Sequence, residues 1–316
     1  MLSKPELTVL SQLSTHAGGN VIQRELADDL DWDPGHVSRV VSKLADRELV
    51  IREQDGGQYR VSLSNAEPTE RFADLSREFS HVNFPDLLAG STLELLFYLT
   101  AERTAAELTG WTDVSRATVY RRLNQLQNVG IVTKRDTRFA LTQQFEEIAA
   151  FARSLVRHLH RQEAGEHTTG VRLIWVDIDE YLFSCQTEPS AALFHQTGPD
   201  AFEQYGIPLL TQESQYYFRS EEQSEIAPED LVCHMLLIDD GARYRSYCLL
   251  LIVGCELEAE TLTRTAERYD REAQIDLSNI VQQFSTYLDS KGAESGAKLP
   301  EWDTFKSTAA DYDIPV

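Results

Sequence analysis

The chain has 316 residues, enough for two or three domains that each bury a core of their own. Its formal net charge of -22 and pI near 4.7 exclude a molecule that is basic all over, the simplest kind of nucleic-acid binder, because phosphate contacts need Lys and Arg. No run of eighteen apolar residues occurs and Met1-Leu2-Ser3-Lys4-Pro5 has no signal-peptide core, so we expect a cytoplasmic protein with no membrane partner. Cys185, Cys233, Cys248 and Cys255 have neither a C-x-x-C spacing nor the density of a disulfide scaffold, and are expected to be reduced, mostly buried thiols.

From the N-terminus, Leu7, Leu10 and Leu13 fall at helical spacing within residues 4 to 16 and predict a first helix. Gln23 to Leu30 predicts a short second helix. Asp33-Pro34 supplies a cap followed by proline at the first helical position and opens a third helix, to about Glu48. Leu49 to Arg52 and Tyr59 to Leu63 flank Asp55-Gly56-Gly57, a hairpin signature.

The same arrangement returns at an offset of 82 residues. Glu25-Leu26 matches Glu107-Leu108, Val37 matches Val119, Arg39 matches Arg121, Leu44 matches Leu126, and Arg52 matches Lys134. In the second copy Ser115 is a cap, and Val119, Leu123 and Leu126 make a narrow apolar stripe opposite Arg116, Tyr120, Arg121 and Gln125. Gly130 then ends the helix before Ile131-Val132, and Lys134, Arg135 and Arg138 surround a turn. Charge is distributed to match: Lys+Arg minus Asp+Glu is +2 for residues 92 to 145, the only positive segment, and -17 for 171 to 316.

The order helix, helix, helix, hairpin, with Gly130 leading into a basic turn, resembles winged helix-turn-helix regulators of the MarR-like and TrmB-like kind over about residues 1 to 165. The resemblance implies sequence-specific binding of double-stranded DNA. The acidic surface, with six lysines against twenty-three arginines, resembles haloarchaeal proteins, whose acidity answers to salt. In molar salt the Debye length falls to about 3 Å, so acidity elsewhere on the chain hardly repels bound DNA. In the second copy Arg116, Tyr120, Arg121 and Gln125 are candidates for base edges, Arg122, Lys134, Arg135 and Arg138 for phosphates, and Thr118 for a further DNA contact. In the first copy the candidates are His36, Ser38, Arg39, Lys43, Arg52 and Arg60. Ser38 stands where the second copy has Tyr120, Pro34 where it has Arg116 and Lys43 where it has Gln125, so the two copies would not read the same bases.

Between the copies, Phe72, Leu75, Phe79 and Val82 form a stripe within residues 68 to 88. Phe145, Ile148, Ala152, Leu155 and Leu159 form another in a helix from Gln143 to about Glu163. Such stripes suit helices that pack on each other or on the second subunit of a homodimer. From Gly170 the texture changes. Residues 171–178 and 180–186 read as strands, 191–195 and 199–205 as short helices, and 207–219 as extended. Residues 228–238 read as an apolar helix with acidic residues in its first turn, and 243–253 as either a helix or a core strand. Further helices are expected at 259–270, 275–290 and 302–311. The expected architecture is α+β: winged helix 1 at 1–66, a linker helix at 67–91, winged helix 2 at 92–142, a connecting or dimerisation helix at 143–166, and a mixed α/β domain at 170–316 serving oligomerisation, a protein partner or an effector.

Other constellations compete with this reading. Asp177 and Asp179 sit two apart on an expected strand and would suit a hard cation, as in a nucleotidyltransferase, but a solvated strand end is the simpler account. His158, His160 and His167 beside Glu163 and Glu166 make a poor ligand set, since i and i+2 do not share a helix face. Cys233 and His234 lie among apolar neighbours and read as core. Tyr216, Tyr217 and Phe218 with Trp175 and Tyr181 read as core aromatics or an effector pocket. No G-x-x-x-x-G-K, G-x-S-x-G or H-E-x-x-H motif occurs, so no cofactor, metal or catalytic residue is assigned. An antitoxin-like autoregulator with a toxin-binding C-terminal domain and a plasmid replication initiator are alternatives with the same front end.

Overall fold

The computed structural model describes every residue except 17, 18, 210–214, 222, 224, 295 and 297. It divides into two compact units, Met1–Gln162 and Glu163–Val316. In the first unit, α1 (Lys4–Thr15) starts where the Ser3 amide donates to the Glu6 carboxylate at 2.7 Å. Then come β1 (Asn20–Ile22), α2 (Gln23–Leu30) and α3 (Pro34–Asp46), followed by the hairpin β2 (Val50–Asp55) and β3 (Gln58–Leu63). The Asp33 carboxylate accepts from the amides of Gly35 (2.9 Å) and His36 (3.1 Å), so α3 begins with its first free donors satisfied. The strands pair antiparallel in the order β1-β3-β2. Leu7, Leu26, Val37, Val41, Leu44 and Val61 are completely buried between helices and sheet. This αβααββ order is that of a winged helix.

The expected linker helix over 67–91 is two helices, α4 (Glu67–Glu78) and α5 (Phe84–Leu88). Phe79 leaves helical geometry at φ -112°, ψ 51°, and Asn83 caps the second helix by accepting from the Asp86 amide at 3.3 Å. Pro85 forces the break: within a continuous helix it would remove an amide donor and clash with the preceding turn.

A second αβααββ unit follows: α6 (Ser91–Tyr98), β4 (Arg103–Thr104), α7 (Ala105–Trp111), α8 (Arg116–Asn128), β5 (Val132–Arg135) and β6 (Arg138–Leu141), with sheet order β4-β6-β5. Helices α3 and α8 start and end 82 residues apart. The offset fails in the wing, where Val50 pairs with Leu63 but Val132 with Leu141, so the second hairpin is four residues shorter. A 3-10 turn at Gln143–Phe145 leads into α9 (Glu146–His167). The two apolar stripes meet within the chain: the Phe72 and Phe151 rings lie 5.1 Å apart and those of Phe79 and Phe145 4.6 Å apart.

The second unit is built on an antiparallel sheet in the order β7-β8-β10-β9, from β7 (Arg172–Val176), β8 (Tyr181–Cys185), β9 (Phe194–Thr197) and β10 (Gln215–Arg219). The helix expected at 191–195 is a turn followed by β9. Phe194 pairs across to Arg219 and packs its ring 5.4 Å from that of Phe183, a use of the segment that period alone does not reveal. A 3-10 helix occupies Gly198–Tyr205. Five helices complete the unit among the described residues: α10 (Pro228–Ile238), α11 (Ala242–Gly254), α12 (Ala259–Asp270), α13 (Leu277–Asp289) and α14 (Trp302–Asp311). The ambiguous segment 243–253 is therefore helical; Cys248, Leu249, Leu250 and Leu251 are all fully buried because it lies in the middle of the core. Among the described residues no helix is long and apolar enough to cross a membrane.

Candidate nucleic-acid interface

In the second winged helix the Ser115 hydroxyl accepts from the Thr118 amide at 3.4 Å and starts α8. Val119, Leu123 and Leu126 are completely buried, which fixes the rotation of the helix and turns the opposite face outward. Arg121 is exposed on that face, and Arg116 and Tyr120 are exposed along its edge. The Arg116 guanidinium lies 5.8 Å above the Tyr120 ring, and Tyr120 meets Phe139 of β6 edge-on at 6.5 Å. From the other side Lys134 holds its ammonium 5.2 Å from the Phe139 ring. One aromatic pair thus ties α8 to the β5–β6 hairpin and carries a cation at each end. Arg121 is exposed, and no carboxylate pairs with it among the described residues.

The remaining candidates in this copy differ in availability. Thr118 receives a hydrogen bond from the Ser115 hydroxyl at 3.1 Å and helps to close the cap. Arg122 is half-buried and donates to the Gln125 side-chain oxygen at 3.4 Å, so these two side chains engage each other. Arg138 donates to the Glu102 carbonyl at 3.2 Å and lies 3.9 Å from Glu107; Arg135 lies 3.9 Å from the Glu102 carboxylate. The Glu107 carboxyl is held below the usual carboxylate range by the Thr104 amide first, then by the Thr104 hydroxyl and by Arg138 and Arg103. Thr104 and Glu107 form a capping box at the start of α7, and the same carboxylate also faces the wing at Arg138.

The first winged helix disposes its cations differently. Arg52 turns inward, donating to Ser42 (2.9 Å) and Ser38 (3.2 Å) on α3, with its guanidinium 3.9 Å above the Tyr59 ring. A serine at 38, where the second copy has Tyr120, supplies both the space and the acceptor. Arg60 pairs with Asp55 at 3.0 Å, Arg39 donates to the Gly35 carbonyl at 3.3 Å, and His36 packs on Trp32 at 4.9 Å. Lys43 is exposed. The two copies share a backbone and present different charge.

The competing constellations resolve into structure. Asp177 and Asp179 lie in the β7–β8 turn rather than on a strand. The Asp177 amide donates to the Glu180 carbonyl, its carboxylate accepts from Ile178, both at 2.8 Å, and the Asp179 carbonyl accepts from Arg219 at 2.7 Å. His158 Nε2 lies 2.8 Å from the Arg47 carbonyl while His167 Nδ1 lies 3.1 Å from the Ser190 hydroxyl, so these histidines diverge. No group of three His, Cys, Asp or Glu side chains is placed to hold a metal ion among the described residues. Trp175 and Phe218 sit with Leu182 in the helix-facing core, whereas Tyr181 and Tyr217 lie with Phe183 on the opposite face, so the aromatics expected as core or effector pocket do not line one pocket.

His234 is a core residue, as its neighbours imply, and centres a buried chain of polar groups. Its Nδ1 lies 2.8 Å from the Thr197 hydroxyl and its Nε2 2.8 Å from the Tyr269 hydroxyl, which itself donates to Asp230 at 2.7 Å. Trp175 Nε1 donates to the Tyr269 carbonyl, and Arg268 pairs with Glu180 and lies 3.6 Å from Asp230. Burial, then the Arg268 charge, pushes the His234 pKa down from 6.5 to about 3, while burial pushes the Asp230 and Tyr269 pKa values up. All four cysteines are free thiols, three of them buried.

Residues 2–64, the span from α1 to β3, match a domain of unknown function, DUF7343. Residues 191–314, from just before β9 to just past α14, match the C-terminal domain model HVO_2833_C, a haloarchaeal-named family. No curated protein and no solved structure matches the chain.

Proposed function

We propose that the protein is a sequence-specific transcriptional regulator that binds double-stranded DNA chiefly through its second winged helix. The observation that carries this reading is the outward face of α8. A capped helix, pinned by three fully buried side chains, presents Arg116, Tyr120 and Arg121 next to a wing bearing Lys134, Arg135 and Arg138, within a domain segment, residues 92 to 145, of net charge +2 in an acidic chain. Arg121 and Arg116 suit the O6 and N7 acceptors of guanine in the major groove, and the wing cations suit phosphates. The second unit, whose core holds a buried polar network around His234, serves in this reading as a body for partner or effector contacts.

Mapping DNA bound to the protein in its own cell at native salt, with wild type and Arg121→Ala side by side, tests this. Loss of a bidentate arginine contact costs about 1–3 kcal/mol at the base it reads, so the variant should lose its strongest sites or relax their sequence. Recovery of the same sites at equal strength would remove Arg121, and this role for α8, from the account.

A further inference from the structure

A cleft of about 660 Å³ opens in the first unit between α4, the end of α6, β6 and α9. Its volume is in the range of small-molecule sites. Leu99, Ala149 and Ala150 give it an apolar wall, and its charged lining sets Arg71, Arg153 and Arg157 among Glu67, Glu102, Glu146 and Glu147. Arg71 is engaged: it pairs with Glu67 at 3.0 Å and Glu147 at 2.7 Å. Arg157 is not. It projects from α9 with Arg153 one turn before it and Arg161 one turn after, and no carboxylate forms an ion pair with it among the described residues. Partial desolvation and then repulsion from Arg161 and Arg153 lower its pKa, Glu67 offsetting this only in part. Guanidiniums crowded at one-turn spacing beside an open cavity favour a negative group among them.

We propose that this cleft is an effector site for a small organic anion, its carboxylate or phosphate group against Arg157 and its apolar body along Leu99, Ala149 and Ala150. The cleft also contains Glu102, whose carboxylate faces Arg135 and whose carbonyl holds Arg138. An occupant that attracts or displaces Glu102 changes how firmly the wing arginines are held, which couples the cleft to DNA. That coupling rests on the DNA-binding reading above; occupation of the cleft does not.

The test uses the full chain in molar KCl with three probes, inorganic phosphate, phenyl phosphate and benzoate, read by thermal unfolding. A saturable rise in Tm with phenyl phosphate or benzoate in wild type, lost in Arg157→Gln, is the expected result; which of the two acts assigns the anionic group. No response to either, or an equal response in Arg157→Gln, overturns the site, and an equal response to inorganic phosphate overturns the apolar half of it. In the DNA arm, the active probe should shift affinity about tenfold in wild type and leave Glu102→Gln unchanged. Binding without that shift overturns the coupling. Absence of any DNA binding overturns the DNA reading while the thermal arm still judges the site.

Discussion

Replacing His234 with glutamine removes the one titrating imidazole from the core of the second unit and should flatten that unit's response to mild acid. In the folded state the ring is fully buried between Thr197 and Tyr269 and stays neutral down to about pH 3, whereas in the unfolded chain it titrates near its ordinary value of 6.5. A depressed folded pKa means that the unfolded state takes up the proton first. The stability due to neutral His234 is therefore whole above pH 6.5 and falls as pH drops from 6.5 towards 3. At about 1.4 kcal/mol per pH unit, acidification from 6.5 to 5 should cost wild type about 2 kcal/mol from this group alone. Asp230 works in the opposite direction: its folded pKa is raised, so its contribution is greatest below its ordinary 3.8 and lost as pH climbs through the folded value. The comparison with His234→Gln isolates the histidine. At pH 7 the variant should be less stable by about 1–3 kcal/mol, because a polar partner of Thr197 or Tyr269 is lost or misplaced. Hydrogen exchange of α10 and α12 in the intact chain, at pH 7, 6 and 5, reads the local opening energy of each variant. Equal pH slopes in the two proteins would refute the claim that His234 is held neutral.

Arg52→Ala should destabilise the first winged helix by about 1–2 kcal/mol, through loss of two hydroxyl partners and the contact with Tyr59, with no change in the salt slope of DNA binding. Hydrogen exchange in β2 and binding titrations at several KCl concentrations measure the two effects. Lys134→Ala, at the matching position of the second copy, should reduce that slope by about one while leaving folding intact.

Much of the first unit can be read from residues whose meaning is local. Asp33 and Ser115 announce helix starts because a side-chain oxygen can reach an amide two or three residues on, and the 82-residue offset survives because α3 and α8 bury the same stripe. Residues whose meaning is tertiary are harder to read. Arg52 looks like a phosphate ligand by position, yet its partners lie ten and fourteen residues earlier on another element. Asp230 looks like a first-turn residue answering the helix dipole, but it is buried against a tyrosine thirty-nine residues away. Phe194 sits in a run too short for its period to be decisive, and pairing with β10 settles it as a strand. The divided linker could have been anticipated from Asn83 and Pro85, a cap followed by a helix-starting proline, had the apolar stripe not run straight through them.

The difference in length between the two hairpins has a consequence for how the copies can diverge. Four residues fewer means two fewer on each strand, an even step that leaves Val132 and Leu141 on the same side of the sheet as Val50 and Leu63. A step of one pair would have kept those faces but set a non-hydrogen-bonded pair beside the two-residue turn, which such a turn does not close. Wing reach in this architecture is therefore quantised. It changes in increments of two residue pairs, about 7 Å of strand, and a tip can be lengthened, trimmed or transplanted between the copies in those units without disturbing the core beneath it.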